Sequence, residues 1–262
     1  MLIRRLWNRY RNNARERWFR RNFKNADILI GSLGGGSPPD VAVLKDGRSI
    51  EHPPNAGLVQ GILESWYEQV YTPRGFLREG MAGTVIDAGA NVGTFSLFLL
   101  DRFPSLKVLA LEPFEENFLC LERNLKKWGA EGRWFAKKAA VSGCMGMGRM
   151  ERVGTRSLDH RLIVGERSGG DLETLSLGNI LEMAGKKNVA FLKMDIEGSE
   201  YAVFDAADQS DLLRFERISV EYHDHLVPGS LSLMRDRLSL THNLRIVPSQ
   251  MDGCGILLAS RK

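Results

Sequence analysis

Apolar residues recur with two different spacings between positions 84 and 259, and the alternation of these spacings predicts the fold. Short runs rich in Val, Ile and Leu have the length of buried strands, whereas segments with an apolar residue every three or four positions have the period of helices. The predicted strands are 84–86, 107–111, 133–135, 189–194 and 217–222, and the predicted helices among them are 94–103, 115–128 and one capped by Ser176. Alternating strands and helices form a parallel sheet with helices on both faces.

The C-terminal part continues this pattern and then departs from it. A helix is predicted over 230–240, followed by strands at 243–247 and 255–259. Only a turn separates these two strands, so they must pair antiparallel. The predicted fold class is therefore α/β, with a mostly parallel sheet, an antiparallel last strand and helices on both faces.

The chain before the sheet divides into two segments. Residues 1–24 form a basic arm whose apolar residues have nearly helical spacing, which predicts an amphipathic helix. Residues 25–80 contain a linker, a small hairpin and a helix over 61–71, and we expect this segment to cap the ligand edge of the sheet. The sheet domain is predicted over 81–262, with an irregular hairpin insertion at 143–171.

A glycine-rich turn after the first strand is the main candidate for a ligand site. A strand that leads through such a turn into a helix places backbone N–H groups and the positive end of the helix dipole beside a ligand. The dinucleotide pattern G-x-G-x-x-G would need glycines where Asn91 and Thr94 stand. The sequence from Asp87 through Gly89 to Gly93 is instead D-x-G-x-N-x-G, the form used for S-adenosylmethionine (SAM). An ordinary packing turn is the alternative.

Glu112 ends the second predicted strand, nineteen residues after Gly93. In dinucleotide-type folds, an acidic residue at this place accepts hydrogen bonds from the ribose hydroxyls. The alternative is a carboxylate that caps the helix beyond Pro113. We therefore predict SAM as the cofactor, with Glu112 at its ribose.

Charged residues also follow the fourth and fifth predicted strands. Asp195 and Glu197 come directly after the fourth strand, and Glu221 and His223 lie at the end of the fifth. The carboxyl ends of parallel strands form the ligand-binding edge of an open α/β sheet. Since side chains alternate along a strand, Glu221 and His223 share one face.

Three motifs together resemble the FkbM family of SAM-dependent methyltransferases: D-A-G-A-N-V-G-T-F, L-E-P-F-E-E-N and L-K-M-D-I-E-G-S-E. The resemblance covers residues 61–221 and implies a Rossmann-like class I methyltransferase fold with a seven-stranded sheet. It also implies methyl transfer, mainly to hydroxyl oxygens of sugars, cell-surface polysaccharides or polyketides. By position, it implies that the methionine end of SAM is lined by Asp87, Gly89, Asn91 and Gly93, the ribose by Glu112, and the acceptor by Asp195 and Glu197.

A sugar hydroxyl is too weakly acidic to ionise at neutral pH, so a base or a metal must assist its reaction. Topology places Asp195 nearest the glycine-rich turn, and an ordinary histidine such as His223 titrates near neutrality. We predict that Asp195 orients or deprotonates the acceptor hydroxyl and that His223 shares this task. A divalent cation held by Asp195 or His223 with Glu197 or Glu221 is an alternative. In a further alternative, Asp195 has no catalytic role and only pairs with Lys193 or caps a helix.

Composition indicates where the protein works. The three cysteines, Cys120, Cys144 and Cys254, lie far apart and form no C-x-x-C pair, which argues for a reducing compartment and against disulfides or structural zinc. The chain has no apolar run of about 18 residues, and its start lacks the apolar core of a secretory signal. We expect a cytoplasmic protein.

Charge is concentrated in the basic arm. Residues 1–24 carry nine basic residues and one acidic residue, a net charge of +8, whereas the whole chain carries +4. The remaining chain is therefore mildly acidic, and we expect no nucleic-acid partner. The arm could lie on an anionic membrane surface, which would make the protein peripheral, or it could pack against the body.

The sequence thus predicts a SAM-dependent O-methyltransferase whose acceptor is a hydroxyl of a carbohydrate, glycolipid or polysaccharide intermediate. A polyketide-type or nitrogen acceptor is the alternative within the same fold. A non-catalytic SAM-binding protein of the membrane surface is the alternative of a different class.

Overall fold

A computed structural model describes residues 2–37, 39–53, 57–152, 160–164, 170–185 and 188–262, with side chains of the first helix from residue 12 onward. The N-terminal elements are α1 (Leu2–Asn22), α2 (Ala26–Leu33), β1 (Val41–Val43), β2 (Ser49–Glu51) and α3 (Gly57–Ile62), which continues as a π-helical turn (Leu63–Tyr67). Next come β3 (Gly83–Ala88), α4 (Thr94–Arg102), β4 (Leu106–Glu112), α5 (Glu115–Lys127), β5 (Trp134–Lys138), β6 (Ala140–Val141), β7 (Gly146–Arg152), β8 (His160–Val164), β9 (Leu172–Leu175) and α6 (Leu177–Met183). The last elements are β10 (Phe191–Met194), α7 (Glu200–Ala206), α8 (Gln209–Leu212), β11 (Arg217–His223), α9 (Ser230–Ser239), β12 (His242–Pro248) and β13 (Cys254–Arg261).

A seven-stranded sheet with the order β12-β13-β11-β10-β3-β4-β5 forms the centre of the molecule. The strands β3, β4, β5, β10 and β11 are parallel, and β13 runs antiparallel to both of its neighbours. The predicted α/β class is confirmed, including the antiparallel last strand. The strand order reverses between β3 and β10, which makes the carboxyl ends of these two strands the expected ligand crevice.

The sheet separates two apolar cores. Val85 and Ile86 are adjacent in β3 and fully buried, yet they belong to different cores because side chains alternate across a strand. One core contains residues of α2, α3, α4 and α5, and the other contains residues of α6, α7 and α9. The predicted cap of α6 is also present: the Ser176 and Asn179 side chains each accept the other residue's backbone N–H.

The segment predicted as an irregular hairpin does contain one. Strands β7 and β8 pair antiparallel, and residues 153–159 and 165–169 of this segment lie outside the described residues. The hairpin joins β9 and β6 in a second sheet with the order β6-β9-β7-β8. The sequence does not predict this second sheet, since two-residue β6 is too short to give a periodic pattern.

The C-terminal half of α1 packs against the body. Phe19 and Phe23 are buried, and the Trp18 ring contacts Tyr67 in the π-helical turn. Arg15 forms an ion pair with Glu68 just beyond that turn. This half of the arm is therefore a packing helix, one of the two alternatives for the arm. The helix predicted over 61–71 starts earlier and ends earlier, as α3 and the π-helical turn.

The hairpin of β1 and β2 has the predicted antiparallel pairing. Among the helices that the structure describes, none combines the length and the apolar character needed to cross a membrane. The predicted boundaries between arm, cap and sheet domain stay a prediction.

Candidate active site

The glycine-rich turn between β3 and α4 depends on three left-handed residues. Gly89, Asn91 and Gly93 have φ values of +76°, +52° and +89°. Asparagine tolerates this conformation better than most side chains, and the Asn91 Oδ1 atom accepts the N–H of Val92 at 2.7 Å. The backbone of the turn thus explains the spacing D-x-G-x-N-x-G. Its last three fixed positions have a left-handed conformation, which glycine and asparagine adopt readily.

The turn presses against the loop that follows β10. A Cβ atom at Gly89 would overlap the carbonyl oxygen of Asp195, so this approach of the two backbones requires glycine. The two strands pair in parallel with Asp87 opposite Lys193. The contact brings the predicted cofactor turn and the predicted acceptor loop together at one edge of the sheet.

Lys193 connects the two loops. Its ammonium group is buried, donates to the carbonyl oxygen of Gly89 at 2.7 Å, and lies 3.4 Å from Asp87 and 3.8 Å from Asp195. Burial disfavours its charge, but the charges of Asp87, Asp195 and Glu221 outweigh burial and raise the pKa of Lys193. The pairing of Asp195 with Lys193 is thus present, although the nearer partners of Lys193 are Gly89 and Asp87.

Asp87 lies beneath the turn rather than on its surface. Its side chain is fully buried and accepts a hydrogen bond from the Ser96 hydroxyl at 2.6 Å. With Ser96 and Lys193 as partners, Asp87 holds the turn from the inside. Its direct contact with the methionine end of SAM stays a prediction, as do the contacts implied for Gly89, Asn91 and Gly93.

Glu112 lies at the end of β4, beside the same turn. Its carboxylate accepts the backbone N–H groups of Asn91 at 2.8 Å and Phe114 at 3.0 Å. Burial raises the pKa of Glu112 to about 7, although these hydrogen bonds oppose the rise. Oε1 also accepts from the Asn117 side-chain amide at 3.4 Å, which leaves one acceptor position on Oε2. That oxygen can accept a hydrogen bond from a ribose hydroxyl, and the turn and Glu112 fit SAM. Glu112 also meets the helix N-terminus, as expected for a capping carboxylate.

The acidic residues after β10 and the histidine of β11 form one cluster. His223 Nε2 lies 3.5 Å from Glu197 Oε2 and 4.0 Å from Asp195 Oδ1. On its other side, His223 Nδ1 lies 3.0 Å from Glu200 Oε1. Burial disfavours the imidazolium, but the hydrogen bond to Glu200 and the surrounding carboxylates outweigh it and raise the pKa of His223 to about 9.

This environment corrects one expectation. The sequence predicts that His223 titrates near neutrality, as a free histidine does, but the carboxylates around it move its pKa well above that range. At neutral pH His223 is therefore a cation that balances its neighbours. It cannot take up a proton while it remains in that form.

Glu200 explains the last position of the motif K-x-D-x-E-G-x-E. Its fully buried carboxylate accepts the backbone N–H groups of Ile196 at 3.1 Å and Gly198 at 2.8 Å, in addition to contacting His223. The loop that carries Glu197 is tightly bent, with φ of +51° at Glu197 itself. Glu200 thus fixes both the loop and the histidine. Its place in the motif is the one sequence signal that could have indicated this role.

Two further residues reach this cluster from the N-terminal cap. The buried Tyr71 hydroxyl lies 2.9 Å from both Asp195 Oδ2 and Glu221 Oε2. Glu64 lies in the π-helical turn. Burial is the main cause that raises the pKa of Glu64 to about 7, and the nearby charge of Asp195 adds to this rise. The expectation that the cap lies over the ligand edge points to this segment, but nothing in its spacing indicates Tyr71 or Glu64.

A cation could be held within the cluster. Ligand atoms of Asp195, Glu197 and His223 all lie within 4.8 Å of one another. Glu221, one of the ligands considered from the sequence, is instead a partner of Tyr71. Two carboxylates and an imidazole are a usual donor set for a divalent metal, and binding would require His223 to lose its proton.

Comparison with known proteins identifies the family. The profile of the methyltransferase FkbM domain matches residues 87–242. The 31-O-demethyl-FK506 methyltransferase FkbM of Streptomyces tacrolimicus is 28% identical over 223 residues, which is 72% of this chain and 82% of that protein. Methyltransferase sdnD of Sordaria araneosa is 26% identical over 178 residues, 52% of this chain and 65% of that protein.

Among solved structures, an rRNA methylase from Streptococcus thermophilus superposes with a TM-score of 0.45 at 12% identity, over 70% of this chain and 88% of that one. The family match spans more than half of the chain, from the glycine-rich turn to the start of β12. The chain belongs to the FkbM family of SAM-dependent methyltransferases.

Proposed function

We propose that this protein transfers the methyl group of SAM to a hydroxyl oxygen of a carbohydrate, glycolipid or polysaccharide intermediate. The observation that carries the proposal is the position of Asp195, whose loop packs directly on the turn that would hold SAM. When bound, SAM supplies a methyl group already activated on a sulfonium. The protein then has to align the acceptor oxygen and remove its proton.

We assign to Asp195 the removal of the proton from the acceptor hydroxyl. The Tyr71 hydroxyl donates to the Asp195 carboxylate at 2.9 Å, and Lys193 and His223 lie 3.8 and 4.0 Å away. These neighbours fix the orientation of the carboxylate, while a quarter of its side chain stays exposed at 24%. His223, as a cation, stabilises negative charge beside the acceptor rather than acting as the base predicted from the sequence.

The charge around the acceptor position favours an uncharged or cationic acceptor. Two basic residues, Lys193 and His223, lie among five acidic ones in this cluster: Glu64, Asp195, Glu197, Glu200 and Glu221. Like charges in a partly buried site repel strongly. Glu64, Glu197 and Glu221 have pKa values of about 7 to 8, so a phosphate or carboxylate beside the reacting hydroxyl would force more of them to bind protons and would weaken binding. The hydroxyls of a neutral sugar can form hydrogen bonds with these groups in either protonation state.

Two variants of this function have support of their own. The name of the Streptomyces relative describes methylation of 31-O-demethyl-FK506, which favours a polyketide-type acceptor. The converging ligand atoms of Asp195, Glu197 and His223 favour a reaction assisted by a divalent cation. A nitrogen acceptor would give an N-methyl product and a non-catalytic SAM-binding role would give no product, so the same assay tests both alternatives.

The test is methyl transfer from ¹³C-methyl SAM by the full chain, with a set of neutral glycans, glycolipids and hydroxylated polyketides as acceptors. The ¹³C chemical shift of the product separates O-methyl from N-methyl groups. We expect Asp195→Asn to lower kcat by about 10²–10⁴-fold with SAM affinity retained, and Asp236→Asn, on the exposed face of α9, to leave it unchanged.

Addition of a chelator tests whether a divalent cation assists the reaction. Loss of activity on chelation, restored by a divalent cation, would assign Asp195 to metal binding. Full activity of Asp195→Asn would remove Asp195 from the mechanism. Formation of S-adenosylhomocysteine with none of these acceptors, despite SAM binding, would favour the non-catalytic role.

A further inference from the structure

A basic cleft lies at the edge of the sheet opposite the candidate active site. It has a volume of about 330 Å³ and is lined by Arg78, Glu216, Arg217, Ser260, Arg261 and Lys262. Arg217 begins β11, and Arg261 ends the antiparallel β13, so both lie at the amino end of the parallel strands. His223 is six residues further along β11, which places this cleft roughly 20 Å from the acidic cluster.

The charges in this cleft are not balanced. Four of its lining side chains are basic and one, Glu216, is acidic. Arg261 is 4.0 Å from Glu216, whereas Arg78 and Arg217 make no ion pair with any described residue. Burial and the neighbouring charge of Arg78 lower the pKa of Arg217, and the charge of Glu216 opposes them only in part.

Three of the four cationic groups make contacts that hold them in place. The Arg217 guanidinium lies 5.6 Å from the centre of the Phe76 ring, which in turn contacts Phe191 in β10. Arg261 donates to the carbonyl oxygen of Leu213 at 3.2 Å, and Lys262 donates to that of Ser239 at 2.9 Å. Fixed guanidinium groups lose little conformational entropy when an anion binds.

We propose that this cleft binds a phosphate group, with Arg78 and Arg217 as its principal ligands. Two guanidinium groups and their planar N–H donors match the geometry of phosphate oxygens, and a dianion would relieve the repulsion between them. A single carboxylate ligand would leave most of the positive charge uncompensated. The site is separate from methyl transfer, and the acidic cluster would itself repel the same anion.

The phosphate could belong to a small molecule or to a lipid headgroup, and the experiment distinguishes the two. Calorimetric titration of the full chain with inorganic phosphate and with pyrophosphate should show saturable binding that weakens as salt is raised. Arg78→Gln/Arg217→Gln should weaken pyrophosphate binding at least tenfold. The control is Arg235→Gln, which removes one positive charge on α9, where Arg235 is exposed and lies 3.5 Å from Asp236. This variant should bind pyrophosphate as the wild type does.

Arg78→Gln alone keeps the test meaningful if the double variant does not fold, because Arg78 is exposed and lacks an ion pair among the described residues. Cosedimentation with phosphatidylcholine vesicles, with and without phosphatidic acid, identifies the source. Weaker binding of phosphatidic-acid vesicles by the Arg78 variant than by the wild type, both of which carry the basic arm, supports a headgroup. Loss of pyrophosphate binding alone supports a soluble phosphate. The proposal would be overturned if the wild type and the Arg78 variant bound pyrophosphate equally and the vesicles equally, or if neither anion bound saturably and the vesicles bound both proteins equally.

Discussion

The Tyr71 hydroxyl lies 2.9 Å from Oδ2 of Asp195, although 124 residues separate the two in the chain, and it lies equally close to Oε2 of Glu221. A hydroxyl has one hydrogen, so it can donate to only one of these carboxyl groups. The other must itself carry a proton and donate to the tyrosine oxygen. Burial and the charge of Asp195 raise the pKa of Glu221 to about 8, which makes Glu221 the protonated partner at neutral pH.

Tyr71→Phe removes the donor that orients Asp195. A hydrogen bond to a charged group is worth about 1.5–3 kcal/mol, so we expect kcat to fall by about 10- to 100-fold while SAM affinity is retained. Steady-state kinetics and calorimetric titration with SAM measure both quantities. Tyr67→Phe is the matched control, the same substitution at a nearby tyrosine whose ring packs on Trp18. Unchanged kcat in Tyr71→Phe would contradict this role.

Glu112→Ala should weaken SAM binding at least tenfold, because charge-assisted hydrogen bonds to the ribose would be lost. Calorimetric titration measures the affinity, and Glu116→Ala on the exposed face of α5 is the control. An unchanged Kd would contradict the ribose assignment and would leave Glu112 as a helix-capping carboxylate. Tighter binding of NADH than of SAM by the wild type would contradict the cofactor assignment itself.

Stability should fall as pH rises from about 5 to about 9. The pKa values of Glu64, Glu112 and Glu197 are raised to about 7, that of Glu221 to about 8, and that of His223 to about 9. Because each folded-state pKa exceeds its unfolded value, the stability contribution of each group is present below the unfolded pKa and is lost as pH rises through the folded pKa. Each group adds at most about 1.4 kcal/mol per pH unit to the slope.

Thermal melts of the cofactor-free protein across this pH range test whether stability falls as pH rises. Glu112→Gln, which stays neutral, should show a flatter profile and exceed the wild type in melting temperature above about pH 7. A wild-type profile that rises with pH would contradict the raised pKa values as a group.

Gly89→Ala should disrupt the site, while Gly80→Ala should not. The two glycines have almost the same φ, +76° and +78°, so the backbone strain of about 1 kcal/mol is shared. Only at Gly89 would the new Cβ overlap a neighbour, the Asp195 carbonyl oxygen. We expect Gly89→Ala to lose SAM binding and to melt several degrees lower than Gly80→Ala. Equal behaviour of the two variants would show that the loops do not need this contact.

The basic arm is predicted to bind anionic membranes, and the structure determines how to test this. Deleting residues 1–24 would remove Phe19 and Phe23 from the core, at a cost of about 3–5 kcal/mol for each ring. Deleting residues 1–11 instead removes four arginines, each worth about 1 kcal/mol near an anionic surface. We expect this truncation to reduce cosedimentation with anionic vesicles at low salt, with neutral vesicles as the control. Equal sedimentation of both chains would contradict membrane binding through the arm.

The parts of the site that follow from local sequence could be predicted. Gly89, Asn91 and Gly93 have a spacing dictated by the conformation of one turn, and Asp195 follows a strand whose apolar run is plain in the sequence. Strand order then places Asp195 beside the turn. These inferences use only the nearest neighbours along the chain and the rules of parallel sheets.

The residues that sequence reasoning misses act over long distances. Tyr71 is the last residue of the helix predicted over 61–71, and its partners lie more than a hundred residues away. The pKa of His223 depends on Glu200, which reaches it only because the bent loop at Glu197 returns the chain. Neither contact leaves a pattern in the sequence, since a hydrogen bond across the fold imposes no period on either segment.

The position of Lys193 connects the binding of SAM to the binding of the acceptor. One buried amine is bonded to the turn that would hold SAM and lies within 3.8 Å of the carboxylate assigned to the acceptor. Movement of either loop would change the interactions of the other, so we expect the two binding equilibria to be linked. By reciprocity, the factor by which SAM changes acceptor affinity equals the factor by which the acceptor changes SAM affinity. After methyl transfer the cofactor loses its positive charge, so the same linkage would let the enzyme hold its substrates and its products with different strength.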